Sequence, residues 1–277
     1  IFLAWRFSVP IEIQVHTDIA SPHFARLSVF NFMRVGLAKF VLSRASCVRV
    51  VSEAIKKNLD LGAPINVLPV FRSADLNNRN IIGALSLKER YPQFKIIGLY
   101  TGRFTAEKNL PLAISAFYEA TKGRHDVGLV LLGSGGEREK MRALVKKLQI
   151  EDRVICEPWT DDPASYYLGA DFFLCTSWYE GYGVSLLEAG LAELPIISSR
   201  VGIVGSLLPT ELVQSFEPGN LLTASDELKK FLANQSLYKS RARILAPRLK
   251  SRMPTRAQYD SFLLHSLNIC CSKNKNV

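Results

Sequence analysis

The sequence predicts an α/β protein, and three strand–loop–helix units in the middle of the chain carry that prediction. Each opens with a short apolar run of strand character, at residues 96–100, 127–132 and 171–176. Each run leads through a glycine-containing loop into a helical stretch, at about 110–121, 137–147 and 183–191. Strands that alternate with helices in this way build an open α/β sheet, which binds its ligands at the carboxyl ends of the strands.

The third unit is the most informative. Its loop and helix read Ser-Trp-Tyr-Glu-Gly-Tyr-Gly-Val-Ser-Leu-Leu-Glu-Ala-Gly and place Glu180 and Glu188 eight residues apart. Glu180 falls in the loop, and Glu188 about one and a half turns into the helix, roughly 7.5 Å from its start. A carboxylate at a strand's carboxyl end can accept paired hydrogen bonds from sugar hydroxyls. The alternative at this point is a loop acid favoured by the helix dipole plus an ordinary helix-surface glutamate.

In the first unit the loop is Thr-Gly-Arg-Phe-Thr-Ala-Glu-Lys-Asn. Gly102 permits a tight turn, and Arg103 and Lys108 place two cations beside a helix N-terminus, the makings of a diphosphate cradle or of a solvated basic loop. The second unit contributes Gly-Ser-Gly-Gly after its strand. Many strand-to-helix turns look like that, so taken singly it says little.

Together and in this order, the three segments resemble the C-terminal domain of GT-B glycosyltransferases, specifically glycosyltransferase family 4. The matching pieces are G-R-F-T-A-E-K-N at 102–109, L-L-G-S-G-G at 131–136 and E-G-Y-G-V-S-L-L-E at 180–188, with Ala170-Asp171 between them. The match covers roughly residues 96–225. A looser one lies upstream, in Ile13-Gln14-Val15-His16-Thr17-Asp18 and in Cys47-Val48-Arg49-Val50-Val51-Ser52-Glu53-Ala54.

The resemblance implies a GT-B fold of two Rossmann-like doubly wound domains, here with the N-terminal one incomplete. It implies that Arg103 and Lys108 neutralise a nucleotide diphosphate, that Gly133 and Gly135 line the nucleotide, and that Glu188 holds its ribose hydroxyls. Glu180 is implied beside the 3-hydroxyl of the transferred sugar, with the backbone of Gly181, Tyr182, Gly183 and Val184 around it. His16 is implied to approach the same sugar from the opposing domain; a histidine satisfied at a strand end is the other reading. His23, His125 and His265 have no such context. The implied reaction retains anomeric configuration, and cations and amides meeting the charge that grows on the leaving diphosphate lower its barrier. No Asp-x-Asp pair occurs in the sequence, so neither a cofactor nor a metal is expected. The donor is expected to be a UDP-, GDP- or ADP-sugar.

Three positions depart from the family pattern: Thr176 replaces a common proline, Glu193 a common glycine, and Ser206 a frequent glutamate. The chain opens on Ile1-Phe2-Leu3-Ala4-Trp5, too short and interrupted for a membrane span and lacking a basic leader. The expectation is a chain truncated within its N-terminal domain, and therefore impaired in turnover.

Composition is ordinary for a globular α/β protein, with 48% hydrophobic and 22% charged residues. Cys47, Cys156, Cys175, Cys270 and Cys271 show no metal-ligand spacing. Three of them sit in strand-like runs, which predicts free buried thiols and a reducing cytoplasm. The net charge of +10 is uneven, because residues 236–277 carry nine basic groups and one acidic. That tail suits peripheral contact with an anionic membrane at the inner face of the cell membrane, or a solvated basic helix. No nucleic-acid recognition motif accompanies it.

The domain reading is 1–83 for the acceptor-side domain, 84–93 for a linker, 94–232 for the nucleotide-sugar domain and 233–277 for basic helices crossing back. The expected partners are a nucleotide-sugar donor and a glycan or lipid-linked acceptor. Two other readings compete with a transferase: a nucleotide-sugar 2-epimerase of the same fold, and a truncated nucleotide-binding chain without turnover.

Overall fold

The computed structural model describes residues 9–59, 61, 63–72 and 87–272. The opening apolar run and the 83/84 boundary lie outside the described residues. The elements run in order β1 (Glu12–Val15), α1 (Pro22–Arg26), α2 (Val29–Leu42), β2 (Cys47–Val50), α3 (Glu53–Asn58), β3 (Ile65–Val67) and α4 (Leu87–Arg90). There follow β4 (Ile96–Thr101), a 3-10 turn (Ala106–Lys108), α5 (Leu110–Ala120), β5 (Val127–Leu132), α6 (Arg138–Lys147), β6 (Val154–Glu157) and α7 (Ala164–Gly169). The last are β7 (Phe172–Cys175), α8 (Val184–Leu191), β8 (Ile196–Ser199), β9 (Gln214–Phe216), α9 (Leu221–Ala233), α10 (Gln235–Arg252) and α11 (Arg256–Ser272).

Two parallel sheets result, one of three strands in the order β1-β2-β3 and one of six in the order β6-β5-β4-β7-β8-β9. β4 and β5 are buried at every position, as expected of central parallel strands covered on both faces. Adjacent residues of β7 show the two coverings. Phe172 packs on Phe231 of α9 with ring centroids 5.0 Å apart, and Phe173 on Tyr167 of α7 at 5.7 Å. The larger sheet is therefore doubly wound. Its main core joins Ile96, Tyr100, Leu129 and Leu131 to Ile114 and Phe117 of α5 and Met141 of α6.

The chain divides into two compact units, one of residues 1–73, 179–182 and 253–277, the other of 74–178 and 183–252. Two details differ from the sequence-based boundaries. α10 belongs with the six-stranded sheet, because Leu249 packs where Gly190 of α8 leaves room for it. Residues 179–182 group with the three-stranded sheet, because Gly181 is held there by its backbone.

The free-thiol expectation fails at Cys47, which is disulfide-bonded to Cys270 across 223 residues. α11 carries Cys270 to the first residue of β2, a proximity that only the tertiary fold creates. Cys156, Cys175 and Cys271 are free. Disulfides belong to oxidising surroundings, so the cysteines no longer argue for a reducing compartment. No helix among the described residues is long and apolar enough to cross a membrane.

Candidate functional site

In the six-stranded sheet, β4 and β7 are neighbours, and the chain leaves them in opposite directions, toward β5 and toward β8. The loops at their carboxyl ends therefore flank the topological switch point, where open α/β sheets hold ligands. These are the 102–109 and 176–183 loops that the sequence motifs single out.

The β4 loop is fixed from two sides. Gly102 N donates to Leu132 O at 3.0 Å, Phe104 N to Ser134 O at 2.7 Å, and Glu137 N to Phe104 O at 3.0 Å. This zipper runs so close that a Cβ on Gly133 would stand 1.9 Å from Gly102 O, and one on Gly135 2.4 Å from Phe104 O. Both predicted nucleotide-lining glycines thus face the β4 loop and let two backbones touch. On the other side, Thr176 Oγ1 shares its proton between Lys108 O at 3.2 Å and Asn109 O at 3.0 Å, while Trp178 N donates to Glu107 O at 2.8 Å. A proline at 176 has no hydroxyl, so the departure from the family pattern supplies its own link between the two loops.

Of the two predicted cations, Arg103 extends into solvent with Nη2 3.3 Å from Glu107 Oε1, an exposed pair worth little by itself. Tyr100 Oη donates to Arg103 O at 2.9 Å and fixes the turn that presents the guanidinium. Lys108 ends the 3-10 turn just before α5.

Glu188 is not a helix-surface residue: it is only 6% exposed. Tyr167 Oη donates to Glu188 Oε2 at 2.9 Å, and the same hydroxyl lies 2.5 Å from Thr101 Oγ1 at the end of β4. With Thr101 donating to Tyr167, a two-step relay leads from the strand end to the carboxylate. Gly183, at φ 90°, turns the chain into α8, and Val184 is that helix's first residue.

His16 and the Glu180 segment come together in the other unit. A Cβ on Gly181 would lie 1.9 Å from His16 O, and Gly181 O accepts a 2.7 Å bond from Ser52 Oγ. Ser52 also caps α3 through Ile55 N at 3.3 Å. The residue after Glu180 is thereby pinned to the ends of β1 and β2. His16 Nε2 stands 3.5 Å from Gln14 Oε1, which accepts a 2.7 Å bond from Arg49 Nη2. Partial burial and then the Arg49 charge hold the His16 pKa below its ordinary 6.5. Tyr182 is buried, which raises its hydroxyl pKa. Sequence reading assigned no role to Tyr167, which lies outside every motif, or to Thr101, Ser52 and Gln14, which stand within quoted segments without being singled out.

A doubly wound parallel sheet, with glycine loops, cations and a buried carboxylate at its switch point, defines a Rossmann-like domain of the ligand-binding kind. The chain belongs to the family Glycosyl transferases group 1, whose model matches residues 86–245. It is 28% identical over 204 residues to N-acetyl-alpha-D-glucosaminyl L-malate synthase of Bacillus anthracis, covering 72% of this chain and 50% of that protein. It is 31% identical over 120 residues to an N-acetylgalactosamine-N,N'-diacetylbacillosaminyl-diphospho-undecaprenol 4-alpha-N-acetylgalactosaminyltransferase of Campylobacter jejuni, covering 43% of this chain and 31% of that one. The chain thus spans half or less of the length of these relatives. Among solved structures it is similar to HepE of Anabaena, crystallised with UDP and glucose, at a TM-score of 0.76 and 18% identity over 96% of this chain and 74% of that chain. The fold is GT-B.

Proposed function

We propose that this protein is a retaining glycosyltransferase of family 4, moving a hexose-type sugar from a UDP-, GDP- or ADP-sugar to a glycan or lipid-linked acceptor in cell-surface polysaccharide or glycolipid synthesis. The observation that carries the proposal is the buried, Tyr167-oriented carboxylate of Glu188 at the switch point, beside a loop bearing Arg103 and Lys108. In this reading Glu188 accepts from both ribose hydroxyls, and Arg103 and Lys108 balance the charge that grows on the departing diphosphate. Glu180 accepts from the 3-hydroxyl of the transferred sugar, amides of residues 181–184 donate to its oxygens, and His16 lies against it as a neutral imidazole. Gly133 and Gly135 act by packing the β4 loop into shape. No metal or other cofactor takes part.

The acceptor class is supported by the Campylobacter jejuni relative, whose name gives it a diphospho-undecaprenol substrate. Peripheral contact with an anionic membrane from its cytoplasmic side is supported by α2. That helix exposes Phe30, Phe32, Met33 and Leu37, and it carries Arg34 and Lys39 with no acidic residue.

Incubating the protein with each nucleotide-sugar and a lipid-linked acceptor fraction, and reading the product's anomeric configuration by NMR, tests the proposal. Transfer with retained configuration supports it, and inversion overturns it. Epimerised nucleotide-sugar without transfer identifies the epimerase, and nucleotide binding without any product identifies a chain without turnover.

A further inference from the structure

The amino ends of β1 and β2 lie at the far end of the three-stranded sheet from His16, and they hold a cluster that the transfer chemistry does not use. Glu12 and Cys47 are direct neighbours in the parallel register, and α11 lays Cys270 over them. One ligand atom from each of the three residues lies within 4.8 Å of the other two. Cys47 Sγ is 3.9 Å from Glu12 Oε2. In a tetrahedral zinc site, with Zn–S near 2.3 Å and Zn–O near 2.0 Å, the sulfur and oxygen ligands stand roughly 3.5 Å apart. The carboxylate needs only a small approach.

That carboxylate is already aimed. Ser266 Oγ donates to Glu12 Oε2 at 2.9 Å, Asn66 Nδ2 donates to Ser266 Oγ at 3.3 Å, and Gln14 Nε2 donates to Glu12 Oε1 at 3.2 Å. Such outer hydrogen bonds orient ligands in metal sites. Cys47 and Cys270 are 0% and 2% exposed and Glu12 is half-buried, so the site is largely shielded and rich in soft ligands, which selects zinc over magnesium or calcium.

We propose that Glu12, Cys47 and Cys270 form a zinc site when the Cys47–Cys270 disulfide is reduced. The disulfide and the metal are alternative clasps between α11 and the sheet. Reduction takes two electrons and two protons from a small dithiol, which leaves as its own disulfide, and gives two thiols. Zinc then displaces both thiol protons to solvent, binds the two thiolates and one Glu12 oxygen, and takes water as a fourth ligand. Whichever redox state prevails, the terminal helix stays tied to β2.

The test is a cobalt titration of the whole chain, reduced with a phosphine under anaerobic conditions and followed by near-ultraviolet thiolate-to-cobalt absorption. Zinc should displace the cobalt and bleach the band, and the unreduced chain should show none. Cys270→Ser should lose the band. Cys271→Ser should keep it, which separates this site from the free neighbouring thiol. Glu12→Gln retains both sulfurs and should weaken cobalt binding at least about tenfold, as removal of even an outer partner does in such sites. A folded, reduced chain without the band would overturn the proposal and leave a plain disulfide. So would a band that survives Cys270→Ser or an affinity unchanged in Glu12→Gln.

Discussion

The Tyr167 hydroxyl donates to Glu188 Oε2 at 2.9 Å from a helix on the opposite side of β7 in the sequence, and it takes its own orientation from Thr101 at 2.5 Å. A carboxylate held this way points in one direction, as the proposed ribose contact requires. Tyr167→Phe keeps the ring packed on Phe173 but deletes the hydroxyl. A hydrogen bond to a charged group contributes about 1.5–3 kcal/mol to stability, so the melt should report a loss of about that size, and nucleotide affinity should fall because the carboxylate loses its fixed direction. Calorimetry beside a thermal melt checks both halves.

Gly133→Ala should be worse than its size suggests. The new Cβ would meet Gly102 O at 1.9 Å, backbone against backbone, and the zipper that shapes the β4 loop would have to open. A loss of about 1–3 kcal/mol in denaturant unfolding is expected, together with weakened nucleotide binding. Gly136→Ala, with nothing within 4 Å of its Cβ, is the control and should leave both unchanged.

Much of this architecture was legible in the sequence because the β4, β5 and β7 units each couple an apolar strand to a glycine loop and a helix. The site was legible only where it coincides with a motif. Glu188 stands in one, but the hydrogen bond that orients it comes from Tyr167, which lies 21 residues earlier on another helix with nothing in its own neighbourhood to mark it. Cys47 was misread for the same reason: its pairing with Cys270 is made by α11 returning across 223 residues. Glu180 sits in the motif segment that follows β7, yet residues 179–182 group with the three-stranded sheet, where Gly181 O is held by Ser52 and its backbone lies against His16 O, partners that no local spacing reveals.

His16 offers a pH prediction with a definite sign. Partial burial, then the Arg49 charge, lower its folded pKa below 6.5. The unfolded chain therefore takes up this proton more readily, and the His16 contribution to stability is complete above 6.5 and lost as the pH falls below it. An NMR titration of the imidazole should find its midpoint below 6.5. In Arg49→Met the midpoint should move upward, toward the ordinary value.

Breaking the disulfide by Cys270→Ser, in metal-free and non-reducing buffer, should cost stability by roughly 2–4 kcal/mol in the unit that holds α11. Hydrogen exchange is the suitable probe. Amides of α11 and of β2 should lose protection together, while those of β4 and β5 in the other unit should not change.

The most direct test of the central claim is calorimetric titration of the chain with UDP, GDP and ADP without metal, alongside Glu188→Ala and Arg103→Ala. The account predicts that one nucleotide binds and that both substitutions abolish or strongly weaken it. A folded chain that binds none of the three, or binds one equally well in both variants, would contradict it.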